Sequence, residues 1–187
     1  MMTKDELLQA SKNKSEFIKR IFPLSTSEIC DLSGISSQVI KNYANTEIVI
    51  PIVNPTGRGK VRKYDKKNLI EILISYNLSQ KGIFLKTVKR IIRAIQDLNP
   101  PGIDWVNSEK YLSLNQRLFL IIYNFSTDTL RVEMKLCKNP YEIENFEKKS
   151  KDVQKVLIQQ FNTININMTS LEEVIVIDVT ILAKKFL

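Results

Sequence analysis

The stretch Leu24-Ser25-Thr26-Ser27-Glu28-Ile29-Cys30-Asp31-Leu32-Ser33-Gly34-Ile35-Ser36-Ser37-Gln38-Val39-Ile40-Lys41-Asn42-Tyr43 decides how the first half of the chain folds. Ser25 stands three residues before Glu28. That is the spacing of a capping box, in which each side chain accepts a hydrogen bond from the other residue's backbone N–H, so a helix is predicted to start here. Ile29 and Leu32 are expected to supply its buried face. Gly34 permits the left-handed backbone of a tight turn, and Ile35 plugs the angle between two helices. Ser36 or Ser37 caps the second helix, whose inner face is Val39, Ile40 and Tyr43. Small Cys30, four residues before Gly34, fits where two helices cross closely. Two short helices so joined make a helix-turn-helix.

Working outward, Ile48-Val49-Ile50-Pro51 leads into Asn54-Pro55-Thr56-Gly57-Arg58-Gly59-Lys60-Val61-Arg62-Lys63-Tyr64, a glycine-punctuated basic hairpin. Asp65 then caps a helix through Leu69, Ile70, Ile72, Leu73 and Tyr76. Lys81-Gly82-Ile83-Phe84-Leu85 makes a turn into a fourth helix, which Asn99-Pro100-Pro101-Gly102 stops.

This succession of helix, turn, helix, wing, helix and helix over residues 24–99 resembles the DNA-binding domain of the MerR family. Lys41-Asn42-Tyr43 stands where that family has Arg-Tyr-Tyr, and Pro51 at its proline before the wing. Arg62-Lys63-Tyr64 matches the Arg-x-Tyr that closes the wing, and Gly82-Ile83-Phe84-Leu85 the glycine-apolar turn before the fourth helix. The chain departs from the pattern at Asn42, Ala44 and Val61, which replace a tyrosine, a glutamate and an aromatic. The resemblance implies a winged helix-turn-helix reading double-stranded DNA. A recognition helix in the major groove presents Ser36, Ser37, Gln38, Lys41 and Asn42 to base edges. Tyr43 offers its hydroxyl to a phosphate while its ring packs inward. The wing supplies Arg58, Lys60, Arg62, Lys63 and Tyr64, its cations suited to phosphates or a neighbouring minor groove.

Charge is distributed to match. Of the formal net charge of +8, residues 1–22 carry +2 (five basic, three acidic), residues 23–99 carry +6 (twelve and six), and residues 100–187 are neutral (eleven and eleven). A basic half joined to a neutral half is what a polyanion-binding domain fused to a partner domain shows.

The remaining segments read as follows. Leu7, Leu8, Phe17, Ile18 and Ile21 mark an amphipathic N-terminal helix over residues 1–22, ended by Pro23. Residues 100–112 are expected as a linker. Leu118 to Phe125 is a continuous apolar run, a strand covered on both faces. Thr129 to Leu136 alternates apolar and polar, and Ser126-Thr127-Asp128 between the two makes an antiparallel hairpin. Asn139-Pro140 starts a long helix along Ile143, Phe146, Val153, Val156 or Leu157, and Phe161. Val174 to Leu182 reads as a buried strand. The expected fold is therefore α+β: an N-terminal helix and winged helix-turn-helix (23–99), then a small ββαβ domain (113–187) for dimerisation or partner binding.

Other chemistry is sparsely provided for. Histidine is absent, which removes the commonest general base and metal ligand. Cys30 and Cys137 lack metal-ligand spacing and are expected to be buried apolar residues. Glu172, Glu173 and Asp178 near the last strand are conceivable metal ligands, but no second carboxylate cluster is recognisable, and Trp105 is expected as a packing anchor. Neither an enzyme nor a cofactor is expected. No apolar run has the length of a membrane span, so a cytoplasmic protein associated with the nucleoid or a plasmid is expected. MerR-like regulators continue into a long dimerising helix and an effector module, whereas this chain breaks at Pro100-Pro101, so ligand sensing is not expected. Two roles remain open: a homodimeric transcriptional regulator, or a centromere-binding adaptor working with a ParA-type ATPase, with an excisionase-like architectural factor as a variant of the second. Lys19-Arg20 in the N-terminal segment is suggestive of the second.

Overall fold

The structure, a computed structural model, describes residues 22–54, 61–98, 101–108, 110–124, 128–149 and 174–184. The chain divides into two compact units, residues 1–73 with 185–187, and residues 74–184. The expected N-terminal helix lies outside the described residues.

In the first unit β1 (Leu24–Ser25) leads directly into α1 (Thr26–Ser33). The capping box is formed as expected: Ser25 N–H donates to Glu28 Oε2 at 2.6 Å and Glu28 N–H to Ser25 Oγ at 3.3 Å. Gly34 ends the helix at φ +69°, and its N–H donates to Cys30 O at 2.8 Å. Ser36 is the residue that caps α2 (Ser37–Asn45), its Oγ accepting from Val39 N–H at 3.4 Å. Ile29, Ile35, Ile40 and Tyr43 are buried between and beneath the helices, and full burial of such side chains contributes about 1.5–3 kcal/mol each.

Two details differ from expectation. Leu32 is 38% exposed; α1 ends one residue later at Ser33, whose Oγ donates to Ile29 O at 2.6 Å. Ile35 in the turn fills the core in its place. Cys30 is only half-buried, although Cys137 is fully buried.

β2 (Lys63–Tyr64) pairs antiparallel with β1, Leu24 opposite Tyr64 and Ser25 opposite Lys63. On its other side Lys63 exchanges both backbone hydrogen bonds with Val53, at 3.1 and 3.2 Å. The base of the expected hairpin is thus closed; residues 55–60 lie outside the described set. Asp65 Oδ1 accepts from Asn68 N–H at 2.8 Å, which starts α3 (Lys66–Gln80) where the sequence places it.

The division between units falls within α3. In the second unit the end of α3 turns through Gly82, at φ +82°, into α4 (Leu85–Asp97). Val88, Ile91, Ile92 and Ile95 of α4 are buried at the helical spacing. The segment expected as a linker is packed instead: Trp105, Ser108 and Tyr111 are buried, the last within a short α5 (Lys110–Ser113). Tyr111 Oη accepts from Asp104 N–H at 2.8 Å, and Ser108 Oγ donates to Val179 O at 3.5 Å. An aromatic body with a polar tip holds an irregular segment against a core.

A three-stranded antiparallel sheet follows, ordered β4-β3-β5 from β3 (Arg117–Tyr123), β4 (Arg131–Cys137) and β5 (Val174–Asp178). Leu120 of the central strand faces Met134 on one side and Ile177 on the other. Leu118 through Ile122 are all buried, as the unbroken apolar run requires. The Phe119 ring lies 4.6 Å from that of Phe146 on α6, a helix over residues 140–149. Asn139 Oδ1 accepts from Glu142 N–H at 2.9 Å and caps α6. Val153, Val156, Leu157 and Phe161 lie outside the described residues.

The expected strand to Leu182 stops at Asp178, and residues 179–184 form α7 (Val179–Lys184). The cause is Asp178, whose Oδ1 accepts from Ile181 N–H at 2.9 Å as a helix cap. Thr180 Oγ1 meanwhile accepts from Leu118 N–H at 2.6 Å, fastening the helix to β3. Arg117 Nη1 bridges Asp178 Oδ2 at 3.2 Å and Glu147 Oε1 at 2.8 Å. Burial pushes the Asp178 carboxyl up, against the opposing pull of the Ile181 N–H and the Arg117 guanidinium. The described order is therefore β-β-α-β-α within an α+β fold.

Candidate nucleic-acid interface

At 100° per residue, Gln38, Lys41, Asn42 and Asn45 of α2 fall on one side of the helix, and Ile40, Tyr43 and Ala44 on the other. Burial follows this division. Gln38, Lys41 and Asn45 are exposed and Asn42 is half-buried, while Ile40, Tyr43 and Ala44 are buried. Ser36 stands exposed at the N-terminus, with Ser37 half-buried behind it. The second helix thus presents a polar face that begins at a capped N-terminus, where partial positive charge gathers.

The ring of Tyr43 packs inward, as its place on the inner face of α2 leads one to expect, and Tyr64 is buried as well. Tyr43 is 1% exposed and Tyr64 0%, both among the largest fully buried side chains. Both rings pack into the core, Tyr43 from α2 and Tyr64 from β2. Arg58 and Lys60 fall outside the described residues.

Arg62 has a more specific placement than a general phosphate contact. Its Nη2 donates to Asn45 Oδ1 at 2.7 Å, its Nε to Asn54 Oδ1 at 3.0 Å, and its Nη1 reaches Lys41 O at 3.5 Å. One planar guanidinium therefore ties the base of the hairpin to the C-terminal half of α2, on the polar face. A fork of fixed donors suits this work in a way that a lysine ammonium does not. Lys63, next to it, lies 3.8 Å from Glu28 Oε2. Hydrogen bonds from the Ser25 side chain and then its backbone hold the Glu28 carboxyl below its usual range, and the Lys63 charge adds to this.

Asn45 and Asn54 were not evident from sequence as parts of the site. Neither is charged, and no spacing rule links Arg62 to a side chain seventeen residues earlier. Pairing of β2 with β1 and with Val53 holds the base of the hairpin in place.

Residues 24–95 match the family model described as MerR HTH family regulatory protein. These residues are a MerR-type helix-turn-helix domain. The match runs from β1 to Ile95 of α4, so the MerR-type domain covers the capped helix pair, the hairpin base, α3 and most of α4. It is a domain of the DNA-binding, transcription-regulating kind. No curated protein matches the chain. Among the described residues no helix is long and apolar enough to cross a membrane, and no group of three or more cysteine, aspartate or glutamate side chains is placed to hold a metal ion.

Proposed function

We propose that the chain is a sequence-specific double-stranded DNA-binding transcriptional regulator that acts as a homodimer in the cytoplasm, on nucleoid DNA. The observation that carries this reading is the polar face of α2, tied to the hairpin base by Arg62. A recognition helix alone leaves its tilt in the groove undetermined. A helix fixed to a hairpin presents base-reading and backbone-contacting groups in one geometry. In this reading Gln38 and Asn42 read base edges, and amide side chains pair bidentately with adenine. Lys41 and Lys63 neutralise phosphates, together with the hairpin cations Arg58 and Lys60. Arg62 holds the two elements in register. A single domain of this size gives limited affinity, so the sheet-bearing unit supplies a twofold contact between copies.

Selection of bound duplexes from a random-sequence library tests the proposal. The expected product is an inverted repeat whose half-sites are spaced by about one or two helical turns, with preference relaxed at one position by Gln38→Ala. A bound pool without recurring sequence would refute it.

A further inference from the structure

β4 stands at one edge of the three-stranded sheet. Pairing with β3 takes up one side of its backbone, from Arg131 to Cys137 without a bulge. Along the other side N–H and C=O groups point outward, and among the described residues no strand pairs with them. An edge of this kind is a template for another strand, which proteins block with proline, bulges or charge. β4 has no proline, so only its side chains decide what can pair there. Val132, Met134 and Leu136 share one face with Leu118, Leu120 and Ile122 of β3. Val132 is buried, whereas Met134 and Leu136 are half-buried, so apolar surface remains open at the edge. Arg131, Glu133 and Lys135 occupy the opposite face with alternating sign. A run of one sign would repel a second copy; this run does not.

The order of residues along the strand selects the partner. Antiparallel pairing with β4 of a second copy, about a twofold axis at Met134, matches all 7 residues of the strand. Glu133 then stands opposite Lys135 of the second copy, and Lys135 opposite its Glu133, and opposite charges so placed attract. On the apolar face Met134 meets Met134, and Val132 meets Leu136. A slip of two residues sets Glu133 or Lys135 against its own counterpart. A slip of one residue brings the charged face against the apolar one. Glu133 is also paired with Arg131, and Lys135 Nζ lies 5.0 Å from the centre of the Phe146 ring. Neither contact is exclusive, because a carboxylate accepts several hydrogen bonds and an ammonium donates several. The other edge strand, β5, carries one charged residue, Asp178, which is already bonded to Arg117 and Ile181. It offers no such match.

We propose that β4 is an interface between two copies of this chain, which pair edge to edge in the register centred on Met134. The two sheets then form one, ordered β5-β3-β4-β4-β3-β5, and the half-buried Met134 and Leu136 are covered by their counterparts. The twofold contact is isologous, since the same strand serves both sides. The proposal rests on the homodimer reading above and names the surface that makes it.

The test is sedimentation of the full chain in low salt, without DNA, over a range of concentrations. A reversible dimer is expected. Glu133→Lys and Lys135→Glu should each weaken it by roughly tenfold or more, because each turns both attractive pairs repulsive. An equimolar mixture of the two variants should dimerise again, since each then opposes the charges of the other. That recovery cannot come from variants that fail to fold. Met134→Cys places a thiol at the axis, where facing Cα atoms lie about 4.5–5.5 Å apart, within disulfide reach. Mild oxidation should link two copies of that variant, and should link neither Leu136→Cys, which lies off the axis, nor the unsubstituted chain. A dimer that neither charge reversal weakens, a loss that mixing does not restore, or a Met134→Cys variant that does not link would overturn the proposal and leave the homodimer reading standing. A chain that stays monomeric at every concentration would overturn both.

Discussion

Arg62 Nη2 donates a hydrogen bond of 2.7 Å to Asn45 Oδ1 and so joins the base of the hairpin to the end of the second helix. The contact is solvent-exposed and its acceptor is neutral, so its weight in global stability is modest, about 1 kcal/mol. Its geometric effect is larger, because it sets the position of the hairpin base against the second helix. Arg62→Ala and Asn45→Ala are each expected to lower stability by about 1 kcal/mol, with a coupling of roughly 0.5–1 kcal/mol in the double-mutant cycle. Asn45→Ala should also weaken DNA binding, although it removes no charge. Urea melts of the four proteins, with binding titrations of each, check both statements.

Gly34 sits at φ +69° with no heavy atom within 4 Å of where a Cβ would stand. Space is therefore no obstacle to Gly34→Ala, and the whole cost is the left-handed backbone, about 1–2 kcal/mol. A loss of that size in the urea midpoint is expected. An unchanged midpoint would show that the turn relaxes to another conformation.

Phe84 is the N-cap of α4, makes no side-chain capping hydrogen bond, and is 83% exposed. Phe84→Ser supplies the missing acceptor and gives up little buried surface. It should raise stability by about 0.5–1 kcal/mol, visible as a higher thermal midpoint.

The capping box gives the first unit a pH dependence. Hydrogen bonds from Ser25 hold the Glu28 carboxyl below its ordinary range. A carboxyl depressed in the folded state contributes stability that is present above its unfolded-state value of about 4.3 and is lost as pH falls through the lower folded value. Stability should therefore decline as the protein is acidified below about pH 4, less steeply in Glu28→Gln. Urea melts between pH 6 and pH 3 measure the difference.

How much of this was legible in the sequence depends on the range of the interactions. The capping box, the Gly34 turn, Asp65 before α3 and the apolar run of β3 are local signals, and each appears where the residues place it. Leu32 was misread because helical spacing says which residues share a face, and not where a short helix ends. The strand expected to Leu182 failed at one residue: Val174 to Leu182 is apolar enough for a strand throughout, and only the Asp178 carboxylate, capping Ile181 N–H, turns it into a helix. The polar positions of α2 follow from periodicity, and so does the inward ring of Tyr43. Tyr64, at the close of the hairpin, is fully buried, which the hairpin pattern alone does not say. The role of Arg62 requires segments distant in sequence to meet, and no local pattern encodes that.

The most direct measurement is the salt dependence of duplex DNA binding by the full chain. A homodimer whose α2 faces and hairpins neutralise about 6–8 phosphates should show a slope of log affinity against log salt of roughly −5 to −7. Lys41→Ala should make that slope shallower by about one for each subunit. A slope near zero, or one that Lys41→Ala leaves unchanged, would contradict the assignment of α2 and its hairpin as the DNA-binding surface.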